Sequence, residues 1–479
     1  MKKIFLIAIA FATFTSCKKS LTEEPKSFLS PDQFFKSDQD AIQGANGVYY
    51  WLVGSYPNRL FQQELWSVLD ENCDVIRTPH PGPLNITAGT PGSAPVMYGG
   101  LYKGIYAANL VIDKVTKSPS ISAATKTRVL GEAKFLRALF YYYLTGLFGD
   151  AVLYNENNYA DIDQSKTFPR TAVADIRKQM IADLTEAAAG LPATYQSSDN
   201  GRATSGAALA LLTKVYLWTK DYTKAEETAM KIKTSGVYIL LPNYADVFTA
   251  DNEFNRESIF EIDFQTDLLN SYQHAFYSPN NTVGVAPFVD KPWYRSYVPY
   301  HSFSNSFDPK DKRKASLIAT SYNGTAFKTD ATNKVDVWFG PKWWRLDAGE
   351  RNSGLDIYLL RYADVLLMLA EAANENGHTG VAEDALNEVR TRAGLDDVSG
   401  LSQAQFRNQI YQERAWELVG EGHRRLDLIR WGKYPQAAVT ASATEEPELS
   451  ASYKPYYVLL PIPATEVAKN PALGQNTGY

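Results

Sequence analysis

The side chains best suited to chemistry in this sequence lie where no regular periodicity is visible. Trp293, Tyr294, Tyr297 and Tyr300 crowd the segment from Lys291 to His301, beside Arg295 and two prolines. Trp338, Trp343 and Trp344 follow with Lys342 and Arg345 at their side, and Tyr98 and Tyr102 close an earlier irregular stretch. A flat ring suits the weakly apolar C–H face of a sugar, or an apolar peptide side chain, while nearby Arg, Asn and Asp bond the polar groups. The competing use of such rings is to pack the irregular stretch onto the rest of the protein. On this reasoning the expected ligand-facing set is Trp293, Tyr294, Tyr297, Tyr300, Trp343, Trp344 and Tyr98, with Asp74 and Arg77 as polar partners.

Carboxylates offer a second chemistry. Asp70, Glu71 and Asp74 stand close together in sequence, and two carboxylates about 5–9 Å apart across a cleft are enough for glycoside hydrolysis. The preferred reading is that they hold loop backbone or ligand hydroxyls without turnover. Glu413, Glu417 and Glu421 repeat every fourth residue on one helix face, with Arg414, Arg424 and Arg425 nearby. They read as a salt-bridge lattice to Arg361 or Arg390 rather than as an acid/base pair or a metal site. The five histidines are scattered, without the close spacing of a ligand pair. Neither a phosphate-cradling G-x-x-x-x-G-K-[ST] loop nor a G-x-S-x-G elbow is present. Non-catalytic binding, with no metal and no cofactor, is the expectation.

These residues must be positioned by a chain of 479 residues. Its 48 basic and 53 acidic side chains give 48 − 53 = −5, which excludes nucleic-acid or other polyanion binding driven by bulk charge. Hydrophobic and charged fractions of 45% and 21% are those of a globular protein, but aromatics reach 13%, more than cores usually need. Lys2 and Lys3, a mostly apolar run from Ile4 to Phe14, and Thr15-Ser16-Cys17 read as a signal peptide over 1–16. The run is too short to span a bilayer as a helix. A cysteine directly after small residues resembles a lipobox, with Phe14 at the usual Leu position, so Cys17 is expected to carry lipid ahead of a polar tether over 17–26. Cys73 is then left as a buried small hydrophobe.

Beyond the tether, 27–479 reads as a single domain whose scaffold is helical. Val129, Ala133, Leu136, Phe140, Tyr143 and Leu147 mark one helix face, and a second helix is predicted over 173–189. Leu212, Thr213, Tyr216, Ala225 and Ile232 fall at the offsets of a tetratricopeptide unit; Leu369, Ala370, Ala373, Ala382, Leu386 and Val389 repeat them. The expected fold class is mainly α: a tetratricopeptide-like scaffold over about 27–55, 100–240 and 355–479, with a large loop-rich insertion and a few short strands, for example Glu257 to Phe264. The irregular regions, about 56–99 and 242–355, are expected to face the ligand, since loops this long in a compact protein are usually functional.

Five ordered blocks carry a resemblance. They are Glu132 to Ala138 running to Phe148-Gly149-Asp150; Arg361-Tyr362-Ala363-Asp364 with Ala370-Glu371-Ala372; Asn387 to Gly394; Glu413-Arg414 through Glu421-Gly422-His423-Arg424 to Trp431; and Leu460-Pro461-Ile462-Pro463 to Asn476. With the lipobox-like start, they resemble the SusD/RagB-type outer-membrane lipoproteins over nearly the whole chain. The resemblance implies capture of a nutrient, an oligosaccharide or oligopeptide, on a non-catalytic lipoprotein. It implies outer-membrane anchoring that faces the cell exterior, with a SusC-like TonB-dependent β-barrel transporter as partner. A tetratricopeptide scaffold for protein partners, without a small ligand, is the alternative. The aromatic clusters match no family motif, so they rest on chemistry alone.

Overall fold

The apolar periodicity of the sequence becomes a stack of helices. The computed structural model describes residues 34–54, 59–78, 84–161, 166–291, 297–349 and 352–479. Cys17, the leader, the tether, Trp293 and Tyr294 lie outside the described residues. Helix α1 (Asp38–Val53) packs on α2 (Ala94–Lys117) and α3 (Ala123–Phe148). Ser122 caps α3 by accepting from the Thr125 amide, and Gly149 stops it with a φ of 73° that other residues resist. Helix α4 (Val173–Gly190) then leads to the pair α5 (Ser205–Thr219) and α6 (Tyr222–Ser235). Asp221 caps α6 through the Lys224 amide.

The second predicted pair is α7 (Tyr362–Asn376) and α8 (Thr379–Ala393), followed by α9 (Gln403–Leu418). Each helix from α2 to α8 packs on the next, and α6 packs directly on α7 although residues 236–361 intervene. The repeat is thus continuous in space while the insertion loops out of it. Small residues make the close approach possible: Ala225, Ala229, Ala370 and Ala373 are fully buried. Among the described residues no helix is long and apolar enough to cross a membrane.

Among its described residues the insertion has no long helix, and it builds its own support. Strand β2 (Ser258–Ile262), inside the segment expected to be extended, pairs antiparallel with β8 (Ile357–Arg361) and closes the insertion's base. Within and beside it, β1 (Ile76–Arg77) pairs with β3 (Val298–Pro299), β4 (Ile318–Ala319) with β7 (Trp338–Phe339), and β5 (Ser321–Tyr322) with β6 (Thr325–Ala326). Aromatic rings fill the interior, one cluster around Tyr277, Tyr300, Phe339 and Trp343 and another around Phe288, Phe327 and Trp338. Cys73 is fully buried, and burial pushes its thiol far above the ordinary range.

The glutamates of α9 and the turn after it do form a lattice, but a buried one. Arg361 meets Glu257 at 2.5 Å, Glu417 at 3.1 Å and Glu421 at 2.8 Å, while Arg390 meets Glu413 at 3.0 Å. The insertion supplies further cations: Arg313 reaches Glu413 at 2.7 Å and Glu417 at 3.0 Å, and Lys342 reaches Glu421 at 2.6 Å. Burial opposes ionisation of Glu417, yet Arg392, Arg361 and Arg313 prevail and hold its pKa at about 2. Burial brings Lys342 down to about 8. The network ties the insertion to the scaffold; its glutamates, Arg361, Arg313 and Lys342 are buried, so each depends on its partners.

Candidate ligand-binding groove

The short ladder of β1 and β3 joins the two irregular regions of the sequence. Ile76 lies opposite Pro299 and Arg77 opposite Val298, so Asp74 and the segment from His301 to Ser306 come to one place. Beside the ladder runs a groove of about 550 Å³, walled on its far side by α9 and by residues 432–441. Val75, Phe303, Ala415 and Ala437 give it an apolar lining, and Asp74, Ser302, Gln412, Lys433, Gln436 and Thr440 a polar one. Asp74 is clamped by Arg424, whose Nε and Nη2 donate to its two oxygens at 2.7 and 2.6 Å. This two-pronged pair fixes both groups at the groove wall. Lys433, Gln436, Thr440 and Ser302 are exposed there; the Thr440 hydroxyl donates to the Gln436 carbonyl at 3.0 Å, and Lys433 lies over the Tyr411 ring. The groove can take a ligand that presents hydroxyls to its walls and apolar edges to its lining.

A charged cluster stands next to the groove. His301 Nδ1 lies 3.0 Å from Glu445 Oε2, and its Nε2 lies 2.7 Å from Asp336 Oδ1. Only the doubly protonated ring donates to both carboxylates. Partial burial disfavours the charge, but these two hydrogen bonds outweigh it and raise the pKa of His301. Arg77 approaches Glu445 at 3.2 Å and donates from Nη2 to the Lys334 carbonyl at 2.7 Å.

Several residues expected at the ligand are placed elsewhere. Trp343 is 1% exposed and stacks on Tyr277 with ring centroids 4.6 Å apart and planes at 13°. Tyr297 and Tyr300 are buried, the former against Phe276 and Tyr277, the latter donating its hydroxyl to Glu446 at 2.9 Å. Trp344 is half-buried, its Nε1 donating to the Phe339 carbonyl and its ring set edge-on to Phe288. Arg77 is 4% exposed and serves the fold. The physical reason is common to all: an insertion without amphipathic helices needs rings to make a core. Tyr98 is buried on α2 against Tyr102 and Phe148, at the base of a different cleft. Of the expected set within the described residues, Asp74 alone lines the groove.

The carboxylates near Asp74 do not face one another across it. Asp70 is 1% exposed and accepts from the Tyr277 hydroxyl at 3.0 Å and the Gly422 amide at 3.1 Å; burial raises its pKa to about 7. Neither Asp70 nor Glu71 lines the groove. A set able to hold a cation lies away from it, where oxygens of Glu253, Asp263 and Asp356 come within 4.8 Å of one another. Lys433, Gln436 and Thr440 gave no signal in the sequence, because isolated polar residues in a turn and on the short helix after it look like any solvated face.

The protein is a helical-repeat scaffold that carries a loop-built groove. Residues 217–479 match the SusD family, and residues 84–217 match a family described as starch-binding associating with outer membrane. The chain belongs to the SusD family. It is 30% identical to SusD-like protein P25 of Formosa agariphila, over 99% of each chain. A SusD homolog from Bacteroides thetaiotaomicron shares the fold with a TM-score of 0.84, at 24% identity and over 94% of this chain and 98% of its own. A laminarin binding SusD-like protein superposes with a TM-score of 0.73 at 25% identity, covering 93% of this chain and all of its own.

Proposed function

We propose that this protein captures an oligosaccharide at the outer surface of the cell, without cleaving it, and passes it to a SusC-like TonB-dependent transporter. In this reading residues 1–16 are removed, Cys17 carries the lipid that anchors the chain to the outer membrane, and 17–26 tether the body. The carrying observation is the β1–β3 ladder, which gathers both irregular regions around one groove with hydroxyl-bonding side chains on its walls. The relatives' descriptions, starch-binding for one family and laminarin binding for one structure, support a neutral glucan as the first ligand to try.

The test uses the chain from residue 18 onward, which keeps every described residue. Calorimetry against starch- and laminarin-derived oligosaccharides and a set of peptides is run with chromatography for cleavage. Binding of a glucan without cleavage is expected, weakened about tenfold by joint Lys433→Ala and Gln436→Ala. Cleavage would overturn the non-catalytic reading, and binding of peptides alone would overturn the carbohydrate one.

A further inference from the structure

A second cleft, of about 680 Å³, shares no lining residue with the groove. Its wall is one face of α2. Tyr98, Tyr102 and Tyr106 recur every fourth residue there, stepping about 6 Å along the helix axis, comparable with the advance per ring along a pyranose chain. Tyr154 and Tyr159 face them from the segment after α3, with ring centroids 5.8 Å from Tyr102 and 5.4 Å from Tyr106 respectively. Two of the hydroxyls are already engaged. That of Tyr102 accepts from the Val152 amide at 2.8 Å, and that of Tyr159 donates to Asp113 at 3.1 Å. Tyr98 is buried at the base, Tyr102, Tyr154 and Tyr159 are half-buried, and Tyr106 is 51% exposed, so Tyr106 leads the ring surface that the cleft offers.

Two further observations point to a ligand. Gly99 lies inside α2 and lines the cleft, and a Cβ built on it meets no atom within 4 Å. Glycine within a helix costs about 1 kcal/mol relative to alanine, and no neighbour demands it, so its bareness serves the open space. The rim is also basic. Lys103, Lys166 and Lys469 line it; Lys469 pairs with Glu466 at 2.8 Å, which leaves Lys103 and Lys166 to give the rim its positive charge on a chain whose net charge is −5.

We infer that this cleft is a second carbohydrate site, for an oligosaccharide bearing carboxylate or sulfate groups, whose rings stack on the tyrosines while the anions meet the lysines. It rests on the carbohydrate reading for its sugar class but not on the groove. A local lysine excess is compatible with an acidic protein, because charges more than a Debye length away are screened.

The experiment is calorimetry of the chain from residue 18 onward with an oligogalacturonate, a heparin-derived oligosaccharide and a neutral maltooligosaccharide. The two anionic arms separate carboxylate from sulfate. At least one anionic ligand is expected to bind, with an affinity that falls as salt rises. Tyr106→Ala and Gly99→Gln should each weaken it about tenfold, and Gly99→Gln should leave thermal stability at or above wild type. The groove pair Lys433→Ala and Gln436→Ala should leave anionic binding intact. Failure of both anionic ligands to bind, binding untouched by Gly99→Gln and Tyr106→Ala, or equal binding of the neutral sugar by the Lys433→Ala, Gln436→Ala variant would overturn the proposal. Loss of neutral binding in the groove pair alone would bear on the groove, not on this cleft.

Discussion

Replacing Trp343 by alanine should unfold the insertion rather than disarm a binding site. The ring is 1% exposed, stacked on Tyr277 at 4.6 Å and set edge-on to Phe339 at 5.0 Å. Gly420 approaches it so closely that a Cβ there would sit 2.5 Å from the ring. Truncating a buried Trp costs about 3–5 kcal/mol, and losing its ring partners adds about 0.5–1.5 kcal/mol. The sum, about 4–6 kcal/mol, is a large part of the 5–15 kcal/mol that holds a typical domain folded. Urea unfolding followed by circular dichroism and by fluorescence of the remaining tryptophans would measure it. Gly420→Ala is the companion: its φ of 74° and the clash with the Trp343 ring should cost about 2–5 kcal/mol without touching any groove residue. The reasoning is refuted if Trp343→Ala unfolds at the wild-type urea concentration yet loses oligosaccharide affinity, since the ring would then be serving ligand.

Other consequences follow from the buried charges. Arg361→Met takes one cation from Glu257, Glu417 and Glu421, leaving them an excess of buried negative charge over Arg392, Arg313 and Lys342, and should cost about 3–5 kcal/mol in urea unfolding; adding Glu257→Gln should recover part of that loss. Asp356, raised from 3.8 to about 9 by burial and then by Glu261, holds a proton in the folded state that the unfolded chain releases. Its effect on stability therefore worsens as pH climbs through that window. Asp356→Asn keeps an acceptor for the Phe264 amide, so in EDTA it should stabilise the protein, increasingly toward pH 9, and a pH-independent difference would contradict the assignment. His301 has the opposite sign. Its pKa is raised from 6.5, so its contribution is complete below that value and fades as pH rises through the folded pKa; His301→Gln should remove that part of the stability–pH profile.

The helical scaffold was legible in the sequence because its information is local. Apolar residues three and four apart and a Gly after each run mark α3, α6, α7 and α8; the ends at Gly149, Gly236, Gly377 and Gly394 are sharp, while α3 begins five residues before the Arg128 at which its periodicity becomes visible. The α9 glutamates were legible as a lattice for the same reason, since a spacing of four fixes a shared face. That the lattice is buried, and that Arg313 and Lys342 cross from the insertion to complete it, depends on contacts far apart in the chain.

What only the tertiary structure decided is which aromatic rings are core and which are surface. Trp343, Tyr297 and Tyr300 looked like a platform because composition reports that rings are present, not what covers them; the insertion, lacking amphipathic helices, spends them on its own interior. The groove depends on β1 meeting β3 across more than two hundred residues, and then on a wall from 432–441 that neither segment encodes. Asp74 was expected as a polar partner from its neighbourhood; that it stands in the groove wall held by Arg424, with Lys433 and Gln436 lining the same groove, was decided by the fold. By itself the sequence determined the family, the helical repeat and where its regularity breaks. The fold alone determined which side chains those breaks turn outward, because burial is a property of neighbours that long-range packing supplies.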